Sequence, residues 1–81
     1  MLAKPKSSNL KYEIVELLED GKDCVLQSGN LSETFLLALQ ASDTFELKNP
    51  SGKLTIYSKE DTIMSLAQGK LIIEVIKRSV V

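Results

Sequence analysis

The 81-residue sequence predicts an α+β domain, a two-layer α/β plait in which short helices cover one sheet face. Residues 32–40 are echoed 28 positions later by residues 60–68, and both segments have helical spacing. Each is followed by an alternating, strand-like segment with a glutamate in register, Glu46 and Glu74. The expected order is therefore β, β-α-β, β-α-β, and right-handed crossovers place both helices on one side of the sheet.

Residues 10–19 fit either a strand or a helix. Apolar residues such as Leu10 and Ile14 recur at helical spacing, whereas the aromatic and β-branched residues of the segment favour a strand. The following Asp20-Gly21 pair is a strong hairpin signal, because such a turn requires positive φ. We favour a strand that pairs with the next apolar run, and a helix is the alternative.

Two strands, at residues 44–48 and 53–57, follow a first helix. Ser32 is the predicted N-cap of that helix, which ends near residue 42. The Asn-Pro-Ser-Gly sequence at 49–52 predicts the turn between the strands, since proline presets φ and glycine accepts a left-handed conformation. The strand residues expected to face inward are Phe45, Leu47, Leu54 and Ile56.

A second short helix is predicted over residues 60–68, with Ser58 as its cap and Gly69 as its stop. Residues 70–77 form the strongest predicted strand. This strand is apolar on both faces, so we expect it at the centre of the sheet. Its outward-facing isoleucines indicate a covered patch or a dimer contact.

Composition restricts the function classes. A chain of 81 residues makes one domain, which we divide into a flexible leader (1–9), the folded domain (10–78) and a tail (79–81). A net charge of −1 argues against a generally basic nucleic-acid binder. No apolar run approaches the roughly 20 residues that span a bilayer, so no membrane partner is expected.

The sequence also disfavours catalysis. Cys24 is the only cysteine, which excludes a disulfide within the chain and favours a cytoplasmic location. Histidine is absent, which removes the commonest general base and the commonest neutral metal ligand. The acidic residues between 13 and 23 lack the spacing of a calcium-binding loop. We therefore predict no enzyme activity and no catalytic, cofactor or metal site.

Several short motifs resemble a known family. The stretch Gly52-Lys53-Leu54-Thr55-Ile56, with Met64-Ser65-Leu66 and Gly69-Lys70-Leu71 after it, is similar to the histidine-containing phosphocarrier (HPr) family of the bacterial sugar phosphotransferase system. Ser28-Gly29 resembles the start of the family's active-site loop. The resemblance covers residues 28–76. It implies the HPr-like β-α-β-β-α-β plait, here with an extra N-terminal strand or helix and without the C-terminal helix.

The departures from the family pattern bear on function. The family transfers a phosphoryl group on a histidine after the Ser-Gly turn, where this chain reads Asn30-Leu31-Ser32-Glu33. The resemblance therefore implies a domain that lacks the phosphorylatable histidine. Some members carry a regulatory serine at the start of the second helix. Ser58 lies one residue from that position and is a candidate phosphorylation site, with a simple helix cap as the competing interpretation.

These observations predict a non-catalytic protein-interaction or regulatory module that binds a protein partner through the start of the first helix and the Ser58 segment. The alternative is a small self-associating structural or assembly protein, in which residues 71–76 or 10–18 supply the contact. The candidate interaction surface comprises Asn30, Leu31, Ser32, Phe35, Ser58 and Met64.

Overall fold

The computed structural model describes residues 10–80, which form one curled sheet and one helix. The elements are β1 (Lys11–Leu17), β2 (Asp23–Asn30), α1 (Glu33–Ala41), β3 (Thr44–Lys48), β4 (Leu54–Ser65) and β5 (Lys70–Val80). The strands lie in the order β2-β1-β5-β4-β3. Only β1 and β5 are parallel; the other neighbours are antiparallel. The result is a mixed, five-stranded half-barrel.

The predicted two-helix α/β plait is wrong, because the segment assigned to the second helix belongs to β4. β4 runs to Ser65 and pairs with β5, so that Thr62 lies opposite Ile73 and Ser65 opposite Lys70. Gly69, with φ 65°, belongs to the hairpin turn and does not end a helix. A short isolated helix is marginal in water, whereas an adjacent apolar strand supplies hydrogen bonds and cross-strand contacts.

The first hairpin is confirmed. Residues 10–19 contain β1, and the Asp20-Gly21 pair lies in its turn, where the Gly21 N–H donates to the Leu18 carbonyl oxygen at 3.0 Å. Gly21 has φ 81°, a left-handed conformation that glycine adopts more readily than other residues, as the Asp-Gly turn requires. β1 lies between β2 and β5, so the extra N-terminal strand is an interior part of the sheet. The central position predicted for β5 is also confirmed.

Helix α1 covers one sheet face, here called the concave face, and the core lies between them. Ser32 is its N-cap, as predicted, since its Oγ accepts a hydrogen bond from the Phe35 N–H at 3.0 Å. The Phe35 ring packs against Tyr12 with the ring centroids 4.6 Å apart. The buried core residues are Tyr12, Ile14, Leu31, Leu39, Tyr57, Leu71, Ile73 and Val75.

The prediction that Leu54 and Ile56 face inward is wrong. Thr55 and Tyr57 are fully buried instead, and Leu54 is exposed. The register explains the difference, because Tyr57 lies opposite Phe45 and directly opposed residues share a sheet face. Once Phe45 faces the core, the partner strand must place its odd-numbered residues there as well.

Candidate protein-binding edge

The outer side of β4 is open over half of its length. β3 pairs with β4 only from Leu54 to Ser58, and the last backbone bond between these segments joins the Lys59 N–H to the Asp43 carbonyl oxygen at 2.8 Å. Beyond that point, no strand within residues 10–80 pairs with the outer side of residues 60–65. We call residues 60–65 the open edge. Its backbone groups are available to an added strand.

Exposed apolar side chains surround the open edge. Ile63 is 41% exposed and Met64 is 43% exposed, and Leu66 in the adjoining turn is 87% exposed. Ile63 lies opposite Ile72 on the convex face, away from α1, whereas Met64 lies opposite the buried Leu71 on the concave face. The edge therefore presents an apolar contact on both of its faces.

The orientation of the edge backbone follows from one hydrogen bond. The Thr62 N–H donates to the Asp61 carboxylate at 2.8 Å, which places this donor on the open side of β4, away from β5. Because N–H groups alternate in direction along a strand, the Met64 N–H also faces outward. The Asp61 side chain thus satisfies the Thr62 donor within the chain.

Charge differs between the two ends of the open edge. Glu60 and Asp61 begin it, and Asp61 lies opposite Glu74 on β5. Ser65 ends it and lies opposite Lys70, whose ammonium is 2.9 Å from the Glu13 carboxylate. The first end is therefore acidic, and the second end carries a lysine that is partly neutralised.

A β-bulge separates the paired and open halves of β4. The pairing with β5 shifts between Lys59 and Asp61, so that Glu60 has no opposing residue. Bulges and charged residues are common devices that limit uncontrolled pairing at sheet edges. Here both lie at the start of the open edge and leave the segment from Thr62 to Ser65 regular.

The structure places four of the predicted interaction residues at the junction of β2 and α1. Asn30 is exposed and accepts a hydrogen bond from the Lys11 ammonium at 2.9 Å, and Ser32 caps the helix. Leu31 is buried and Phe35 is half-buried against the core. The latter two side chains therefore contribute mainly to packing.

The other two predicted residues lie on β4, far apart. Ser58 is half-buried between Thr44 and Ile76, and Met64 lies six positions further along, about 20 Å away at the usual strand rise. Met64 belongs to the open edge, whereas Ser58 lies in the part of β4 that is paired on both sides. The structure therefore does not bring all six residues into one surface.

Two of the open clefts formed by residues 10–80 flank the sheet. One, of about 530 Å³, lies at the end of β1 and is lined in part by Lys11, Tyr12, Gly29 and Lys70. The other, of about 290 Å³, lies between α1 and β3, where Phe35 and Phe45 are among the lining residues. Among residues 10–80, no group of three or more potential metal-ligating acidic or cysteine side chains is assembled.

A small polar group is buried beneath α1. Tyr57 is fully buried, and its hydroxyl has no hydrogen-bond partner among the described residues. Burial raises the pKa of Tyr57, and the negative charge of Glu16 raises it further, while the adjacent Thr55 side chain opposes the rise. The Thr55 hydroxyl donates its own bond to the Lys53 carbonyl oxygen at 3.1 Å.

Comparison of the chain with family models, with curated proteins and with solved structures found no match. Within residues 10–80, no helix combines the length and apolar character required to span a bilayer.

Sequence reasoning missed the open edge because it assigned residues 60–68 to a helix. Two signals pointed the other way: the β-branched pair Thr62-Ile63, and the direct passage from Gly69 into the strongest strand. Hairpins need only a short turn before their second strand, whereas a helix at this position requires a crossover.

Proposed function

We propose that this chain is a non-catalytic protein-interaction module that binds an extended segment of a protein partner along the open edge. The single observation that carries the proposal is that the pairing of β4 with β3 ends at Ser58, while β4 continues to Ser65. In such strand addition, main-chain hydrogen bonds supply affinity, and the side chains of alternate residues supply specificity.

The surroundings of the open edge support a protein partner. Ile63 and Met64 offer apolar contacts on opposite faces of the strand, which matches the alternating side chains of an extended peptide. The net charge of −1 and the acidic start of the edge, at Glu60 and Asp61, oppose nucleic-acid binding. With its single cysteine, the module suits the cytoplasm.

The proposal is tested with a synthetic eight-residue peptide of alternating valine and threonine, flanked by lysines that complement Glu60 and Asp61. We expect titration into dilute ¹⁵N-labelled protein to shift the amide resonances of Thr62 and Met64, with little change at Thr44 on the edge of β3. Thr62→Pro removes an outward donor without breaking the β4–β5 ladder, and it is expected to abolish the shift of the Met64 resonance.

Ile63→Lys tests the apolar contact at the open edge, and Leu54→Lys is its matched control. Both residues lie on the convex face of β4 and are similarly exposed, but Leu54 belongs to the part paired with β3. Peptide binding is expected to weaken at least tenfold in Ile63→Lys and to persist in Leu54→Lys. Saturable binding that shifts β3 amides in place of β4 amides, or no binding at millimolar peptide, contradicts the proposal.

A further inference from the structure

We propose that the strand added at the open edge is β4 of a second copy of this chain, paired antiparallel about a two-fold axis with Ile63 opposite Ile63. This inference rests on the proposed function and names its partner. A two-fold interface must be complementary to itself, and an antiparallel strand pair is the sheet arrangement that meets this requirement.

The backbone groups of β4 that face the open side determine how the two copies of β4 align. Thr62 and Met64 present their N–H groups to the open side. Pairing Thr62 of each copy with Met64 of the other satisfies both residues through reciprocal hydrogen bonds. Ile63 then lies opposite Ile63 as a non-hydrogen-bonded pair, in which the side chains approach most closely.

Charge complementarity favours the same arrangement. In this register Asp61 of one copy lies opposite Ser65 of the other, and the second copy's Lys70 lies one strand beyond that serine, on the same face. The acidic start of each edge therefore meets the lysine-bearing end of its partner. A parallel pairing places Asp61 next to Asp61 and is disfavoured by repulsion between like charges.

The apolar residues become continuous across the two-fold axis. Ile63 lies beside Ile72 within one copy, on the convex face. Joining the copies produces a row of four isoleucines in one ten-stranded sheet, and it covers the half-exposed Ile63. On the concave face, Met64 meets Thr62 of the other copy.

Sedimentation equilibrium of the full chain tests the association. We expect a reversible dimer whose dissociation constant rises at least tenfold in Ile63→Lys and in Asp61→Lys. Leu54→Lys and Val25→Lys, which alter exposed apolar residues elsewhere on the sheet, are expected to leave it within about twofold. A strictly monomeric wild-type protein, or a dimer disrupted by Val25→Lys, overturns the proposal.

Charge exchange and cross-linking test the register. Lys70→Asp combined with Asp61→Lys is expected to recover at least part of the affinity that Asp61→Lys loses. In a Cys24→Ser background, Ile63→Cys is expected to form a covalent dimer on mild oxidation, and Leu54→Cys is not. Equal cross-linking of both cysteines, or no recovery in the double variant, contradicts the register.

The peptide titration separates the two proposals. If the wild type remains monomeric while the valine-threonine peptide still shifts Thr62 and Met64, strand addition stands and self-pairing fails. If neither the peptide nor a second copy engages the open edge, both proposals fail together.

Discussion

The Lys59 ammonium donates a hydrogen bond to the Leu39 carbonyl oxygen at 3.1 Å and lies 3.5 Å from the Gln40 carbonyl oxygen. The last turn of α1 contains no basic residue of its own. A lysine from β4 therefore supplies the positive charge that helix C-termini favour, and it ties α1 to the sheet. This contact lies directly before the bulge where the open edge begins.

We expect Lys59→Met to lower the free energy of unfolding by about 1–2 kcal/mol, because it removes a charge-assisted hydrogen bond and a favourable dipole interaction. Methionine retains the aliphatic part of the side chain, so the decrease in unfolding free energy measures the contribution of the Lys59 ammonium. Urea unfolding followed by circular dichroism measures the change. Lys48→Met, at an exposed position on β3, is the control, and equal losses in both variants contradict this role for Lys59.

The two tyrosine hydroxyls are expected to differ in their effect on stability. The Tyr12 hydroxyl accepts a hydrogen bond from the Gln27 side-chain amide at 2.7 Å, whereas the buried Tyr57 hydroxyl has no partner among residues 10–80. Tyr12→Phe should cost about 0.5–1.5 kcal/mol, and Tyr57→Phe should be neutral or stabilising by up to about 1 kcal/mol. Urea unfolding of both variants checks this. A larger loss in Tyr57→Phe than in Tyr12→Phe is the contrary result.

Stability should also depend on pH through Tyr57. Burial and the negative charge of Glu16 raise the pKa of Tyr57 above its ordinary value of 10.0, so the folded state holds the proton more tightly than the unfolded chain. The stability that this pKa difference gives to the folded state is fully present below about pH 10. It is lost as the pH rises through the folded-state pKa of Tyr57.

We therefore expect the unfolding free energy to fall more steeply in the wild type than in Tyr57→Phe above about pH 10. Urea unfolding at a series of pH values from about 8 to 11 measures both slopes. Parallel slopes in the two proteins contradict the prediction.

A negative charge at Ser58, such as that of a phosphate, is expected to destabilise the fold. It is half-buried between Thr44 and Ile76 on a strand paired on both sides, and it does not cap a helix. Ser58→Asp should lower the unfolding free energy by about 1–3 kcal/mol, because it buries an unpaired carboxylate. Ser51→Asp, in the exposed turn before β4, should change it by less than about 0.5 kcal/mol. Similar effects at both sites argue against the burial explanation.

Local structure was predictable from the sequence wherever it depends on residues that are close together along the chain. Ser32 caps α1, Gly21 lies in the first hairpin turn, and the apolar run of β5 lies at the centre of the sheet. Each follows from a hydrogen bond, a backbone conformation or a burial pattern contained within a few residues. The candidate site was less predictable, since only Met64 among the predicted residues belongs to the open edge.

By itself, the sequence determined a small domain with a first hairpin, one capped helix and a central apolar strand. Tertiary structure alone decided that residues 60–65 extend β4, that Tyr57 faces the core in place of Ile56, and that the pairing between β3 and β4 stops where the open edge begins. The physical reason is that helix and strand periods compete closely over such a short segment. Pairing with β5, and the register imposed by Phe45, decide the outcome through contacts that local sequence does not specify.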